Sequence, residues 1–343
     1  MRMLVIGGNG FIGTPLVREL CDSGHAVAVF HRRPNKHEAG VLEQIQGDRD
    51  RLPQYRGDIA RFAPEVVVDL ILSSGHQAKQ LIDVMRGIAR RVVGISSMDV
   101  YRAWGVIHGV EHGPLEPLPI TEDSALRMTR QLYPPETLKM MAGVFSWLDE
   151  NYDKIAVEEA IMAEPELPGT VLRLPMVYGP GDPLHRFFPL LKRMADGRSF
   201  VLLADDLASW RGPRGYVENV AHAIAIAAMS DRSAGRTYNI CEEPTVSEIE
   251  WQKKIARQVS WTGRFVVLPG EQTPKHLVQL GNAAQHVVVS SERIRSELQY
   301  KELVETGEAI QRTVAWEQNN PPPTINPQQF DYASEDAAAA NTP

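Results

Sequence analysis

The sequence has little cysteine, no surplus of positive charge and no long apolar run, and each absence removes a class of protein. Among 343 residues the cysteines are Cys21 and Cys241, too few for a disulfide framework or a cysteine-rich metal site. Such scarcity is typical of a reducing compartment, so we expect the cytoplasm. The net charge of −7 argues against nucleic acid as a partner, because phosphate binding needs an excess of lysine and arginine.

No stretch approaches the roughly 18 uninterrupted apolar residues of a membrane-spanning helix, so no membrane role is expected. His108 and His112 lack the further ligands that a zinc site needs, and no metal site is predicted. What remains is ordinary for a globular protein, with 43% hydrophobic and 23% charged residues. The length exceeds that of one compact core, which favours a large domain with a smaller one.

Short apolar runs alternate with helical patterns over residues 3–97, which indicates βαβ units and a parallel sheet. Strands are predicted near 3–7, 26–31, 66–70 and 92–96, with a weaker one near 42–46, and helices near 11–23, 50–62 and 77–88. A helix near 152–162 and a strand near 170–174 continue the sheet. The predicted fold class is therefore α/β, a Rossmann doubly wound parallel sheet with a smaller C-terminal substrate-binding domain.

The remaining segments are assigned by composition and weaker patterns. Residues 102–147 are rich in proline, glycine and histidine, which predicts a long functional loop without regular structure. Helices near 189–195, 217–228 and 247–259, with a strand near 200–203, predict the second domain. Pro321-Pro322-Pro323 is expected to end ordered secondary structure. We therefore predict a dinucleotide-binding domain at 1–174 that includes the catalytic helix, a substrate domain at 175–323 and a mobile tail at 324–343.

The segment Gly7-Gly8-Asn9-Gly10-Phe11-Ile12-Gly13 is a glycine-rich turn between a predicted strand and an amphipathic helix. Missing side chains let the backbone approach a pyrophosphate, and the helix N-terminus supplies free N–H groups and a partial positive charge. The predicted dinucleotide-binding residues of this turn are Gly7, Gly10, Phe11, Ile12 and Gly13.

The end of the second predicted strand reads Phe30-His31-Arg32-Arg33, with no acid before Glu38. A carboxylate at this position would bind the ribose 2′-hydroxyl of NAD, whereas an arginine can clamp the 2′-phosphate of NADP. His31, Arg32 and Arg33 are therefore predicted to bind NADP, with NAD as the alternative cofactor. Asp48 is a candidate for binding the adenine amino group.

Four segments in this order resemble the extended short-chain dehydrogenase/reductase family, which includes NAD(P)-dependent epimerases and dehydratases, and its atypical members in particular. They are the glycine-rich turn, Ser96-Ser97-Met98-Asp99-Val100-Tyr101, Lys154 with Glu158, and Arg173-Leu174-Pro175-Met176-Val177-Tyr178-Gly179-Pro180. The resemblance implies a catalytic group made of Ser97, a tyrosine and Lys154. In the family the lysine lowers the tyrosine pKa and holds the nicotinamide ribose. Relatives often dimerise, so a homodimer is a further expectation.

The sequence departs from the family pattern at the tyrosine. Glu150 stands four residues before Lys154, and the nearest tyrosine, Tyr152, stands only two before it. On a regular helix that separation is roughly 200°, so the two side chains would face opposite sides. Either the helix begins near Asp153 and Tyr152 folds back over the site from a turn, or the tyrosine chemistry is absent and Glu150 is the alternative base.

Three further residues, His185, Arg186 and Arg214, are candidate ligands for an anionic substrate, since arginine suits phosphate recognition. The leading hypothesis is an NAD(P)-dependent epimerase/dehydratase-like oxidoreductase acting on a sugar nucleotide or a similar polar small molecule, with NADP. Because the tyrosine is displaced, a non-catalytic dinucleotide-binding protein that senses redox state or regulates a partner stays open. So does an NADPH-dependent carbonyl reductase, which would have a smaller and more apolar pocket.

Overall fold

The strands and helices below belong to residues 1–32, 40–278 and 281–340, which are the residues that the computed structural model describes. In chain order the strands are β1 (Arg2–Ile6), β2 (Ala26–His31), β3 (Glu43–Gln46), β4 (Val66–Asp69), β5 (Arg91–Ser97), β6 (Gly169–Leu174), β7 (Met176–Tyr178), β8 (Phe200–Ala204), β9 (Arg214–Tyr216), β10 (Arg236–Asn239) and β11 (Arg264–Leu268).

The α-helices are α1 (Gly13–Asp22), α2 (Arg56–Phe62), α3 (Gly75–Met85), α4 (Arg102–Ile107), α5 (Pro135–Val144), α6 (Lys154–Met162), α7 (Phe188–Ala195), α8 (Asp205–Ser209), α9 (Val217–Met229), α10 (Glu248–Gln258), α11 (Glu292–Leu298), α12 (Thr306–Asn319) and α13 (Tyr332–Ala340). Short 3-10 helices lie at Arg49–Tyr55, Met98–Val100, Asp231–Ser233, Gly270–Gln272, Lys275–Leu277 and Pro327–Phe330.

Seven strands form one sheet in the order β10-β6-β5-β4-β1-β2-β3. All six neighbouring pairs are parallel. The chain runs outward from β1 through β2 to β3 and then restarts on the other side of β1 with β4. The predicted Rossmann fold is therefore confirmed. In such a sheet, ligands bind in the crevice at the carboxyl ends of the strands on either side of this reversal.

Separate hydrophobic cores bury the two faces of the sheet. Met3 and Val5 of β1 belong to the core beneath α1 and α9, whereas Leu4 and Ile6 belong to the core beneath α2, α3 and α6. Because successive strand residues point to opposite faces, a strand covered on both faces is apolar at every position. This is why β1 is a continuous apolar run in the sequence.

The segment 102–147, predicted to lack regular structure, contains α4 and α5, so that prediction is wrong. Helix α4 spans only six residues. Helix α5 starts at Pro135 and buries only Leu138. A helix with one buried side chain has almost no apolar period, and the sequence pattern therefore could not show it.

The prediction that ordered secondary structure ends at Pro321-Pro322-Pro323 is also wrong. A 3-10 helix at Pro327–Phe330 and then α13 follow the prolines. The Glu335 side chain of α13 is fully buried, and its carboxylate lies 2.7 Å from the guanidinium of Arg193 on α7. An ion pair with a residue far away in the sequence thus holds α13 on the protein, although the alanine-rich sequence of this helix has no apolar period.

Part of the segment assigned to the substrate domain lies on the large sheet. Strand β10 pairs with β6, and α9 packs against α1, where the His222 Nδ1 atom lies 2.5 Å from a carboxylate oxygen of Glu19. Two small parallel sheets, β8 with β11 and β7 with β9, lie outside the large sheet. No helix among the described residues combines the length and the apolarity that crossing a membrane would require.

Candidate functional site

The glycine-rich turn joins β1 to α1 at the point where the strand order reverses. Gly7 has a φ of +85°, which L side chains rarely adopt. A Cβ atom at Gly13 would lie 2.3 Å from the Gly7 carbonyl oxygen, so α1 begins directly against the turn. Within the part of the chain that the structure describes, no side chain caps this helix start. The geometry therefore fits a phosphate cradle, with backbone N–H groups for an anion.

A pocket of about 170 Å³ lies beside this turn and has the position of an adenosine site. Its lining includes Gly7, Gly10, His31, Arg32 and Asp48.

The Arg32 guanidinium closes one side of this pocket by donating to the carbonyl and hydroxyl oxygens of Ser146. His31 and Asp48 have local partners. The His31 Nε2 atom lies 3.1 Å from Gln44 Oε1, and the Asp48 carboxylate accepts from a backbone N–H of the 3-10 helix that follows it. Arg33 lies outside the described residues.

A second cavity, of about 420 Å³, adjoins the first. Phe11 and Ile12 of the turn belong to its wall, and Trp147 lines both spaces. The structure brings the three predicted catalytic residues to this cavity, since Ser97, Tyr152 and Lys154 all line it. We call it the reaction cavity.

Lys154 is the first residue of α6, and its side chain is almost wholly buried. The Nζ atom donates to the carbonyl oxygens of Leu72 and Ile95, the latter at 3.1 Å. Burial lowers the pKa of Lys154 from 10.5 to about 8, although the carboxylate charges nearby oppose the shift. Lys154 is thus anchored at the ends of two sheet strands rather than on a tyrosine.

Tyr152 precedes α6, because the helix is capped by Asp153, whose carboxylate accepts from the first free backbone N–H groups. The Tyr152 hydroxyl therefore reaches the cavity from a turn and donates to Asp99 Oδ2 at 2.7 Å. The Lys154 Nζ atom lies 5.9 Å from the Tyr152 ring centroid. Burial, followed by the charge of Asp99, raises the pKa of Tyr152 well above its usual value, and a hydrogen bond with Ser97 opposes the rise.

Sequence reasoning missed Asp99 and Tyr133 as site residues. Asp99 lies on the 3-10 helix after β5 and is 5% exposed. It also accepts from the Tyr133 hydroxyl at 3.2 Å. The signal for Asp99 was its place two residues after Ser97 in the motif, but Tyr133 lies in the segment interpreted as a loop. Glu150, the alternative base, is exposed and does not belong to the cavity wall.

A buried ion pair supports the floor of the site. Arg173 of β6 holds Glu158 of α6 at 2.7 Å, and Ser96 of β5 donates to the same carboxylate at 2.5 Å. Arg173 also donates to the Tyr101 hydroxyl at 2.9 Å. Residues from three of the family-like segments therefore contact one another here. Their contacts hold β5, β6 and α6 together next to Ser97.

The candidate substrate ligands are dispersed. His185 lies 2.5 Å from a Glu317 carboxylate oxygen and is not in the cavity wall. Arg214 is paired with Glu248 and also lies outside it. Arg186 does line the cavity, but its guanidinium already binds the Asp182 carboxylate at 2.7 Å.

The cavity wall is mostly apolar and contains few cations. Its aromatic and methionine members are Phe11, Met98, Trp104, Tyr133, Met141, Phe145, Trp147, Tyr152 and Met176. Among the described residues, no three His, Cys, Asp or Glu side chains are grouped so that they could hold a metal ion.

The family profile described as "NAD dependent epimerase/dehydratase family" matches residues 3–128 and 150–241. The chain belongs to this family. The matched regions include the glycine-rich turn, the strand that carries Ser97 and the helix that carries Lys154, whereas the interval between them contains α5 and Trp147.

Two curated relatives and one solved structure illustrate the likeness. A 2'-dehydrokanamycin reductase of Streptomyces kanamyceticus is 24% identical over 286 residues, which cover 81% of this chain and 72% of the relative. A 3 beta-hydroxysteroid dehydrogenase/Delta 5→4-isomerase of Mycobacterium tuberculosis is 27% identical, over 74% of this chain and 68% of the relative. The structure of UDP-glucuronic acid 4-epimerase from Bacillus cereus, in complex with UDP-glucuronic acid and NAD, has a TM-score of 0.67 at 16% identity, and covers 93% of this chain and 99% of that one.

Proposed function

We propose that the protein is an NADP-dependent oxidoreductase that interconverts an alcohol and a carbonyl group on a largely apolar small molecule. The observation that carries this proposal is the composition of the reaction cavity. Ser97, Tyr152 and Lys154 share it with aromatic and methionine side chains. Apolar walls with a few convergent polar groups are typical of small-molecule sites, and such walls suit a largely apolar substrate.

The cationic side chains of this cavity are already partnered, which disfavours a nucleoside diphosphate as the substrate. Among the described residues of its wall, the cationic side chains are Lys154 and Arg186. Lys154 is held by two backbone carbonyls, and Arg186 is paired with Asp182. A pyrophosphate bound through Arg186 would compete with Asp182, and this buried carboxylate would lose its compensating charge. We therefore favour an uncharged substrate over a sugar nucleotide.

The residues of the cleft fit a dinucleotide cofactor. The turn at residues 7–13 would hold the pyrophosphate, and Arg32 at the adenosine pocket would bind a 2′-phosphate. The nicotinamide ring supplies hydride transfer when it is bound. In the adjoining cavity, Ser97 would donate to the substrate oxygen and Tyr152 would exchange its proton. Lys154 would position the nicotinamide ribose.

Sugar-nucleotide epimerisation or dehydration is the second candidate. Arg186 is its best support, because this cation of the cavity wall is partly exposed and could exchange Asp182 for a phosphate. The solved relatives whose names include UDP-glucose or UDP-glucuronic acid are consistent with such chemistry on this fold. A dinucleotide-binding regulator without turnover is the remaining alternative.

Cofactor choice is tested by titrating NADPH and NADH against the wild type while following tryptophan fluorescence. We expect a preference for NADPH of about tenfold or more, worth about 1.4 kcal/mol. Arg32→Ala should abolish the preference and leave NADH binding unchanged. Arg61→Ala is the matched control, since this arginine is exposed on α2 and bound only to Asp58 among the residues described. Equal affinity of the wild type for both cofactors would contradict the NADP assignment.

Substrate class is tested with the wild type and NADPH by following cofactor oxidation with alicyclic ketones such as 1-decalone. UDP-glucose and UDP-glucuronic acid are assayed in parallel by product analysis. Turnover of ketones alone supports the proposal. Turnover of the sugar nucleotides alone would replace it with the second candidate, and tight NADPH binding without any turnover would favour the regulator.

A further inference from the structure

Asp99 places a buried carboxylate at the reaction cavity. This carboxylate has no role in the predicted catalytic group of Ser97, Tyr152 and Lys154. Its Oδ2 atom accepts from the Tyr152 hydroxyl at 2.7 Å and from the Tyr133 hydroxyl at 3.2 Å. The Asp99 backbone N–H donates to Ser97 Oγ at 3.2 Å, which fixes the carboxylate relative to the serine. Two tyrosine hydroxyls are therefore aimed at one anion at the edge of the cavity.

Cationic and titratable groups from several elements surround Asp99. The buried Arg127 guanidinium lies 4.0 Å from Asp99 Oδ1, and its Nε atom donates to the Asp99 backbone carbonyl. Lys154 approaches from α6, and the charge of Asp99 opposes the fall in the lysine pKa that burial causes. His108, which follows α4, is a further titratable neighbour beside Tyr133 and Tyr152; burial lowers the pKa of His108, and the charge of Asp99 opposes this shift.

The Lys154 ammonium group is directed at backbone carbonyls rather than at the tyrosine hydroxyl. Its Nζ atom donates to the carbonyl oxygens of Leu72 and Ile95, which leaves one N–H for the nicotinamide ribose, and the Tyr152 hydroxyl donates instead to Asp99. Burial, together with the charge of Asp99, also raises the pKa of Tyr152 well above its usual value, so a phenolate is disfavoured. A neutral hydroxyl bound to a carboxylate can still pass a proton on without becoming charged.

We propose that Asp99 is the end point of the proton route, reached from the substrate through the Tyr152 hydroxyl. Asp99 is thus a positioning residue that acts through Tyr152, and the inference rests on the proposed alcohol and carbonyl chemistry. Tyr133 supplies a second hydrogen bond that holds the same carboxylate oxygen.

The route balances in both directions. During oxidation the substrate C–H bond breaks and its electron pair passes to the oxidised nicotinamide cofactor. The substrate O–H proton moves to the Tyr152 oxygen while the original Tyr152 proton moves to Asp99 Oδ2. The products are the ketone, the reduced cofactor and a protonated Asp99. Reduction returns the same proton through Tyr152 to the carbonyl oxygen.

The first test needs neither substrate nor cofactor. Protein labelled with carbon-13 at tyrosine Cζ is compared by NMR at about pH 7, with Tyr152→Phe used to assign the signal. We expect Asp99→Asn to move the Tyr152 Cζ chemical shift upfield, because a phenol that donates to a carboxylate has partial phenolate character that a neutral amide acceptor removes. Tyr238, which donates to Glu297 at 2.9 Å away from the cavity, is the matched control and its signal should not move. An unchanged Tyr152 signal would overturn the proposal.

The second test follows alcohol oxidation by the holoenzyme with NADP and 1-decalol across pH. The wild-type kcat should fall on the acid side of the pH profile, because the proposed route needs an acceptor for the Tyr152 proton. Asp99→Asn should lower kcat about 100-fold or more, with little change in KM, and its kcat should no longer fall at acid pH. Asp99→Glu should restore part of kcat and also the fall of kcat at acid pH. Adding Asp99→Asn to Tyr152→Phe should cost nothing further, because the two groups act in series.

Two outcomes of this test would contradict the proposed proton route. In the first, Asp99→Asn keeps a kcat near that of the wild type; in the second, its kcat still falls at acid pH as in the wild type. Circular dichroism checks that the variants fold. If Asp99→Asn does not fold, the test is whether Asp99→Glu shifts the acid side of the pH profile of kcat. Failure of the proposed function looks different. The wild type would then bind NADPH but turn over no ketone or alcohol, while the NMR comparison would still report whether the Tyr152 hydroxyl is bound to Asp99.

Discussion

At the scale of the residue, Lys154 is a buried ammonium group whose Nζ atom donates to two neutral carbonyl oxygens. The family-like spacing to Glu158 correctly placed it at the start of a buried helix, but the expected tyrosine partner is replaced by the carbonyl groups of Leu72 and Ile95. Two neutral acceptors compensate an ammonium less than an anion would. Its charge therefore costs stability in the folded protein.

This cost predicts an unusual pH dependence. Burial lowers the pKa of Lys154 from 10.5 to about 8. Between these values the unfolded chain keeps a proton that the folded protein has released, so the free energy of unfolding rises with pH. Relative to Lys154→Met, the wild type should gain about 3 kcal/mol across this window. Urea denaturation of both proteins at about pH 7 and about pH 10 measures the difference, and an equal change in both would contradict it.

At the scale of the element, the start of α6 decides where Tyr152 points. Two explanations of the Tyr152 spacing were open from the sequence, and the structure begins the helix at Lys154 with Asp153 as its cap. A helix pattern locates an apolar face well but leaves the first turn uncertain by a few residues. Here that uncertainty covered the residues on which the chemistry depends.

Asp153 should therefore matter for stability. Its carboxylate accepts from the backbone N–H groups of Ile155 and Ala156, at 3.0 and 3.2 Å. Replacing an N-cap aspartate by alanine costs about 1 kcal/mol, whereas serine keeps the cap. We expect Asp153→Ala to lower the free energy of unfolding by about this amount, and Asp153→Ser to stay near the wild type. Equal losses in the two variants, measured by urea denaturation, would rule out the capping role.

At the scale of the whole molecule, the sheet was predictable and many long-range contacts were not. Strands buried on both faces are recorded in the sequence as apolar runs, and the glycine-rich turn marks the first of them. By contrast, Arg193 and Glu335 are 142 residues apart in the chain, and Arg32 and Ser146 are 114 apart. Single charged residues leave no periodic pattern, so nothing in the sequence pairs them.

The C-terminal segment is predicted to be part of the folded unit. Ending the chain after Asn320 removes Glu335 and leaves the buried Arg193 without its carboxylate. Breaking a buried ion pair costs about 3–5 kcal/mol, so the truncated protein should unfold at markedly lower urea concentration.

The matched variants separate charge from packing. Glu335→Met alone should destabilise in the same way, whereas Arg193→Met with Glu335→Met should recover most of the loss, because apolar pairs can replace buried ion pairs. Wild-type stability of the truncated protein would show that the segment contributes nothing.

Trp147 belongs to the walls of both the adenosine pocket and the reaction cavity, and its ring centroid lies 5.7 Å from Lys154 Nζ. A ring shared by two pockets cannot be repositioned by one guest without changing the space left for the other. Binding at the two places would then be thermodynamically linked, and the linkage is reciprocal. Either molecule, by ordering Trp147, would change the affinity for the other by the same factor, whichever of them binds first.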